Sequence, residues 1–167
     1  MNIAVILAGG SGTRMGNDVP KQFLKVAGKK VIEHTIEVFE EAKNIDEICI
    51  VSRTDYINEV ESIIINNGYT KVKKILSGGK ERYDSSLAAI NAYPTNNHNL
   101  LFHDAVRTLL TERIIDDCLT ALNQYNAVDV AIKTTDTIIQ ADDNDGIIFI
   151  PKRSEFRNGQ TPQCYTR

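Results

Sequence analysis

The chain has 167 residues, 42% hydrophobic and 25% charged, with a formal net charge of −3; this suits one domain with a full core and argues against a nucleic-acid partner. No apolar run of about 18 residues is present, which argues against a membrane span, and the start lacks a basic n-region, which argues against a signal peptide. Cytoplasmic residence is expected, with Cys49, Cys118 and Cys164, odd in number and far apart, as reduced core thiols.

Residues 2–7, NIAVIL, form a short apolar run closed by glycines, the pattern of a buried strand. Ile32, Ile36, Phe39 and Ala42 recur at helical spacing and predict a helix over 31–43. EICIVS at 47–52 reads as a strand. A helix over 55–67 follows, carrying Ile57, Val60 and Ile64, with Asn67-Gly68 as its stop. KVKKIL at 71–76 reads as a strand, 82–92 as a helix closed by Pro94, and NLLFH at 99–103 as a strand. Ile115, Cys118, Leu119 and Leu122 fall on one side of a helix over 112–124. The alternation predicts an α/β fold with a mostly parallel sheet and helices on both faces. After residue 126 the pattern turns β-rich. AVDVAIKTTDTIIQ and GIIFIPKR are separated by ADDNDG, in which Asp145-Gly146 is a hairpin signal. This reads as a projecting two-stranded arm, which needs something to pack on. TPQCYTR, the last stretch, reads as a strand or a helix entry.

In parallel sheets ligands bind beyond the carboxyl ends of the strands. Three polar or glycine-rich stretches fall there: AGGSGTRMG, SGGKERYDSS and HDAVR. The first is neither G-x-G-x-x-G, because Met15 precedes Gly16, nor a Walker A loop, because Asn17 and Asp18 follow Gly16. Its glycines free backbone N–H groups to converge on phosphate oxygens. Arg14 adds a permanent charge suited to bidentate phosphate contact. Pro20 restricts the chain before Lys21 and aims it. Gly78 and Gly79 let a flat base approach the backbone, with Arg82 and Ser85 at a helix start that attracts anions. Asp104 ends a buried strand; a Mg²⁺ ion held by it and by phosphates is one reading, an N-cap or a salt bridge to Arg107 the other. His34, His98 and His103 lack metal-ligand spacing, although His103 adjoins Asp104. No Ser-His-Asp or Cys-His arrangement is evident. A nucleotidyltransferase, working by positioning and charge stabilisation, therefore competes with a non-catalytic nucleotide-binding module. A dehydrogenase is the weaker third, since the dinucleotide fingerprint fails.

LAGGSGTRMG, PKQFL, GGKERYDS, HDAVR, TTDTI and GQTPQ, in this order, resemble the cytidylyltransferases that act on 2-C-methyl-D-erythritol 4-phosphate and ribitol 5-phosphate. The likeness covers essentially all of the chain. It implies a Rossmann-like nucleotidyltransferase three-layer sandwich, one domain over 1–167 with a dimerisation arm at about 133–153, and a homodimer. It implies CTP as co-substrate, Mg²⁺ as cofactor, and a CDP-alditol and pyrophosphate as products. By the resemblance, Arg14 and Lys21 stabilise the pentavalent α-phosphorus. Leu7, Ala8, Gly9, Gly10, Gly12, Thr13, Gly79, Arg82 and Ser85 hold CTP, and Asp104 binds the metal. Arg107, Thr137, Arg153 and Thr161 match positions near the alditol phosphate, partly delivered by the partner subunit. LAGG, PKQFL, HDAVR, NAVDVAI and GQTPQ look more like the ribitol-phosphate branch, linked to teichoic acid and the cell wall, than the methylerythritol branch of isoprenoid biosynthesis. Thr108 stands where the family usually has proline, and Lys80 where an acidic or small polar residue is frequent. Family members continue past residue 167, so the expectation is an N-terminal fragment of reduced activity.

Overall fold

The computed structural model describes residues 1–10, 19–95 and 97–167. Its first strand, β1 (Asn2–Ala8), is an inner strand of the six-stranded main sheet, with a neighbour on each side. Ile3, Ala4, Val5 and Ile6 are fully buried, because a strand covered on both faces needs an unbroken apolar run. A turn at Lys21–Phe23 leads into a tight hairpin, β2 (Lys25–Val26) and β3 (Lys29–Lys30). Helix α1 (Val31–Glu41) buries Ile32, Thr35, Ile36 and Phe39, a stripe at i, i+3, i+4 and i+7. Strand β4 (Glu47–Ser52) and helix α2 (Ile57–Asn67) follow. Gly68 ends α2 at φ +67°, a left-handed conformation that glycine adopts without steric cost. Its N–H bonds Ile65 O and that of Tyr69 bonds Ile64 O, which closes the helix as a Schellman motif. Then come β5 (Val72–Ser77), α3 (Arg82–Ala92), β6 (Asn99–Asp104) and α4 (Glu112–Leu122).

The main sheet runs β5-β4-β1-β6-β10-β7, with β7 at Ala127–Lys133 and β10 at Arg157–Thr166. Strands β5, β4, β1 and β6 are parallel, and β10 runs antiparallel to both β6 and β7. Side chains alternate across the sheet. Ala4, Ile6, Ile48, Ile50, Leu101 and Cys164 meet α1, α2 and α4 on one face. Ile3, Val5, Cys49, Val51, Leu100 and Phe102 meet Ala89 of α3 and the adjoining Tyr93 on the other. These are the three layers expected from the sequence.

The C-terminal region departs from its expected form in one respect. Residues 127–133 do not belong to a two-stranded arm. Val128 and Val130 pack on the larger core, and the segment pairs with β10, Cys164 opposite Val128. Only β8 (Gln140–Ala141) and β9 (Ile147–Phe149) form the separate small ladder. Asp142 shapes its turn, accepting bonds from the Asn144 and Gly146 N–H groups. No helix among the described residues is long and apolar enough to cross a membrane.

Candidate active site

The four parallel strands end along one edge of the sheet, and a cleft of ≈ 850 Å³ lies there. Leu7, Ala8, Gly9 and Gly10 line it from the end of β1. Gly79, Arg82 and Ser85 line it from the loop after β5 and the start of α3, and Asp104 from the end of β6. The predicted residues from three separate loops thus line one cleft. Gly12, Thr13 and Arg14 lie outside the described residues. Lys21 sits on the turn before β2, half-buried, next to the cleft-lining Gln22.

The glycines at the second loop are required by space. A Cβ on Gly78 would stand 2.6 Å from Ser85 Oγ, and one on Gly79 would stand 2.2 Å from Asp84 Cβ. The loop therefore packs with its backbone directly against the first turn of α3. Asp84 caps that turn, its Oδ2 accepting from Glu81 N–H at 3.0 Å.

Asp104 stands between two guanidinium groups. Arg107 Nε donates to its Oδ2 at 3.0 Å, and Arg82 approaches Oδ1 at 3.4 Å. The salt-bridge reading is therefore correct as far as Arg107 is concerned. It does not remove the carboxylate from the cleft, because the Arg82 contact is long and the Asp104 side chain is 29% exposed. Among the described residues no group of three or more His, Cys, Asp or Glu could hold a metal by itself. A Mg²⁺ ion needs no such cage. It takes one or two carboxylates and completes its shell with phosphate oxygens and water, so Asp104 fits that demand at one oxygen. Arg107 also donates Nη1 to Gln160 Oε1 at 2.6 Å, which ties the cleft edge to β10.

His103 is not part of the site. Alternation along β6 turns it inward, 1% exposed, edge-on to Phe39 at 5.5 Å. Its Nε2 lies 3.0 Å from Arg107 O, and burial holds its pKa below the ordinary histidine value. Thr137, Arg153 and Thr161 do not line the cleft of the single chain. Thr137 and Arg153 lie beside the β8–β9 ladder, where Arg153 Nη1 donates to Thr135 O at 2.7 Å. Thr161 sits within the irregular stretch of β10, its buried Oγ1 without a partner among the described residues. Arg53, Thr54 and Asp55 at the end of β4, and Gln22, line the cleft without having been expected there. The strand-end rule that picked out the other loops applies equally to RTD at 53–55, directly after β4.

The family described as "IspD: 2-C-methyl-D-erythritol 4-phosphate cytidylyltransferase" matches residues 2–167. The chain belongs to the IspD family. A "Bifunctional ribulose 5-phosphate reductase/CDP-ribitol pyrophosphorylase Bcs1" of Haemophilus influenzae is 51% identical over 98% of this chain, which spans 35% of that protein. A "2-C-methyl-D-erythritol 4-phosphate cytidylyltransferase" of Thermobifida fusca is 39% identical over 97% of the chain and 68% of its own length. Among solved structures, 4-diphosphocytidyl-2C-methyl-D-erythritol synthase of Anaerococcus prevotii superposes with a TM-score of 0.83 at 32% identity, covering 99% of this chain and 69% of that one. Like the sheet and cleft above, this likeness places the chain in the IspD fold.

Proposed function

We propose that the chain transfers a cytidylyl group from CTP to an alditol phosphate, with ribitol 5-phosphate the favoured acceptor. The observation that carries this reading is the convergence of Leu7–Gly10, Gly79–Ser85 and Asp104 on one cleft, in a member of a cytidylyltransferase family. An acceptor phosphate oxygen attacks the α-phosphorus of CTP. The new P–O bond forms as the bond to the bridging oxygen of the β-phosphate breaks, and pyrophosphate leaves. Such chemistry asks the protein for alignment and positive charge. Arg14 and Lys21 supply charge at the α-phosphorus, Arg82 binds nucleotide phosphate, and Arg107 attracts the acceptor phosphate. Ser85 and the bare backbone at Gly79 hold the base and ribose. Mg²⁺, held by Asp104 and the phosphates, would neutralise charge on the triphosphate. The CDP-ribitol in the name of the Bcs1 relative favours ribitol 5-phosphate as the acceptor. The family description and the Thermobifida relative favour methylerythritol phosphate as the second reading.

We also propose a homodimer, a cytoplasmic enzyme and an acceptor site completed by Thr137, Arg153 and Thr161. Support for the dimer comes from Ile147, Ile148, Phe149 and Ile150, exposed by 63%, 59%, 56% and 54%. A contiguous apolar strip of this kind marks a surface that a second molecule covers. Pyrophosphate release is to be measured with CTP, Mg²⁺ and either acceptor. Release with ribitol 5-phosphate alone supports the favoured substrate, release with methylerythritol phosphate alone moves the assignment to the second reading, and release with neither overturns the transferase reading.

A further inference from the structure

Gln22 is 3% exposed, yet it borders the cleft. Its Nε2 donates to Ala8 O at 2.7 Å and to Gly10 O at 3.1 Å, so both hydrogens of the amide are used. The turn that carries it is itself anchored. Phe23 N–H bonds Pro20 O at 2.9 Å, Leu24 N–H bonds Lys21 O at 3.1 Å, and the buried Phe23 ring stacks on Tyr56 at 5.0 Å. A fixed turn therefore grips the start of the glycine loop through one side chain.

That grip sets the direction of a donor. Leu7 O accepts from Ala105 N–H at 3.0 Å, on the β6 side of β1. Successive carbonyls of an extended strand point to opposite sides, so Ala8 O points away from β6, where Gln22 meets it. In a planar trans peptide the N–H points opposite to the C=O. The N–H of Gly9 is thereby turned back to the side of Ala105 and Asp104. Among the described residues no hydrogen bond takes the N–H of Gly9 or Gly10. A backbone N–H turned to that side is a donor of the kind a phosphate oxygen uses.

We propose that Gln22 is a positioning residue of the nucleotide site. By binding the Ala8 and Gly10 carbonyls it aims the Gly9 N–H at a triphosphate oxygen, and it holds Lys21, its neighbour on the turn, in step with the glycine loop. The inference rests on the nucleotide reading above, for which the ligand is the triphosphate of CTP.

The test uses ¹⁵N relaxation and CTP titration on the 167-residue chain. Gln22→Met removes both donors at similar volume. In the ligand-free protein the Gly9 and Gly10 order parameters should fall from about 0.85 toward about 0.6 or below. CTP affinity should weaken by roughly tenfold, the loss of one oriented phosphate contact. Gln22→Glu should bind CTP as weakly near neutral pH and recover on acidification, when the protonated carboxyl regains one donor; Gln22→Met should show no such recovery. A side chain that served stability alone would shift the melting temperature without this pH-dependent rescue. Unchanged order parameters in folded Gln22→Met, or CTP affinity within twofold of the unsubstituted chain, overturn the proposal. If neither variant folds, the unsubstituted chain decides. The Gln22 side-chain NH₂ and the Gly9 amide should then shift together on adding CTP, and a Gly9 shift with Gln22 unmoved overturns the coupling. If CTP moves neither resonance in the unsubstituted chain, the nucleotide reading falls, and with it the role assigned to Gln22.

Discussion

Gly79→Ala measures how closely the second loop is built against α3. The added Cβ would stand 2.2 Å from Asp84 Cβ and 2.7 Å from Asp84 Oδ2. Carbon atoms rest about 3.5–4.0 Å apart, so the two must separate by roughly 1.3 Å or more. Rotating the Asp84 side chain cannot achieve this, because its Cβ is fixed by the backbone. The loop or the first turn of α3 must move instead. Overpacking of this kind costs about 1–3 kcal/mol. The shift also strains the bond from Glu81 N–H to Asp84 Oδ2, a cap interaction worth about 1 kcal/mol. A loss of about 2–4 kcal/mol in unfolding free energy is expected from urea denaturation. CTP affinity by calorimetry should fall with it, since Arg82 and Ser85 ride on the same turn. Asp84→Ala keeps the obstructing Cβ and should not rescue Gly79→Ala, whereas Asp84→Gly should recover part of the loss as a favourable coupling energy. Gly79→Ala within about 0.5 kcal/mol of the parent, the range of an unremarkable surface change, would refute the packing argument.

Lys21→Ala and Arg14→Ala should each lower turnover by about 10²-fold or more, the scale for one preorganised donor, while circular dichroism shows the fold retained. Asp104→Asn should weaken Mg²⁺-dependent CTP binding, read by titrating Mg²⁺ against bound CTP. Stability should change by about 1 kcal/mol or less, because the Arg82 and Arg107 contacts are partly exposed. Deleting residues 140–149 should convert a dimer to monomers in sedimentation velocity; a monomer with the ladder intact would count against the dimer. Burial pushes the Cys49 thiol up to about 12. Because the folded value lies above the unfolded one, its contribution is complete below about pH 9 and is lost as pH rises toward 12, at up to about 1.4 kcal/mol per pH unit. Denaturation at pH 8, 9 and 10 should show this fall, and Cys49→Ala, though less stable throughout, should show a shallower one.

The alternating elements were legible because their burial is periodic. IAVIL at 3–7 is apolar throughout and lies between two strands, and Ile32, Ile36 and Phe39 mark one helical face. The loops at the strand ends were legible because glycine and charge are rare directly after apolar runs. What could not be read was partnership. Ala127–Lys133 alternates like a hairpin strand, and only the distant β10 shows that it belongs to the main sheet. Gln22 was overlooked beside Lys21, since a glutamine carries no charge and its value lies in two carbonyls twelve and fourteen residues away. Adjacency in the chain suggested a shared role for His103 and Asp104, yet the pleat sends neighbours to opposite faces, one into the core and one into the cleft.

The placement of β10 between β6 and β7 bears on how the chain is made. Its Cys164 lies opposite Leu101 on one side and Val128 on the other. Both neighbours are translated first, and β6 waits for the roughly sixty residues between Asp104 and Thr166. At about 5–20 residues per second that is several seconds. Over this interval β6 presents an unsatisfied, apolar edge, the kind of template on which nascent chains associate. Strand β7 carries Asp129 and Lys133, charges of the sort that discourage a foreign strand from docking, whereas NLLF of β6 has none. Protection of β6 thus comes from β10, the last translated of these six strands, and a chaperone that holds β6 until β10 arrives would guard that edge.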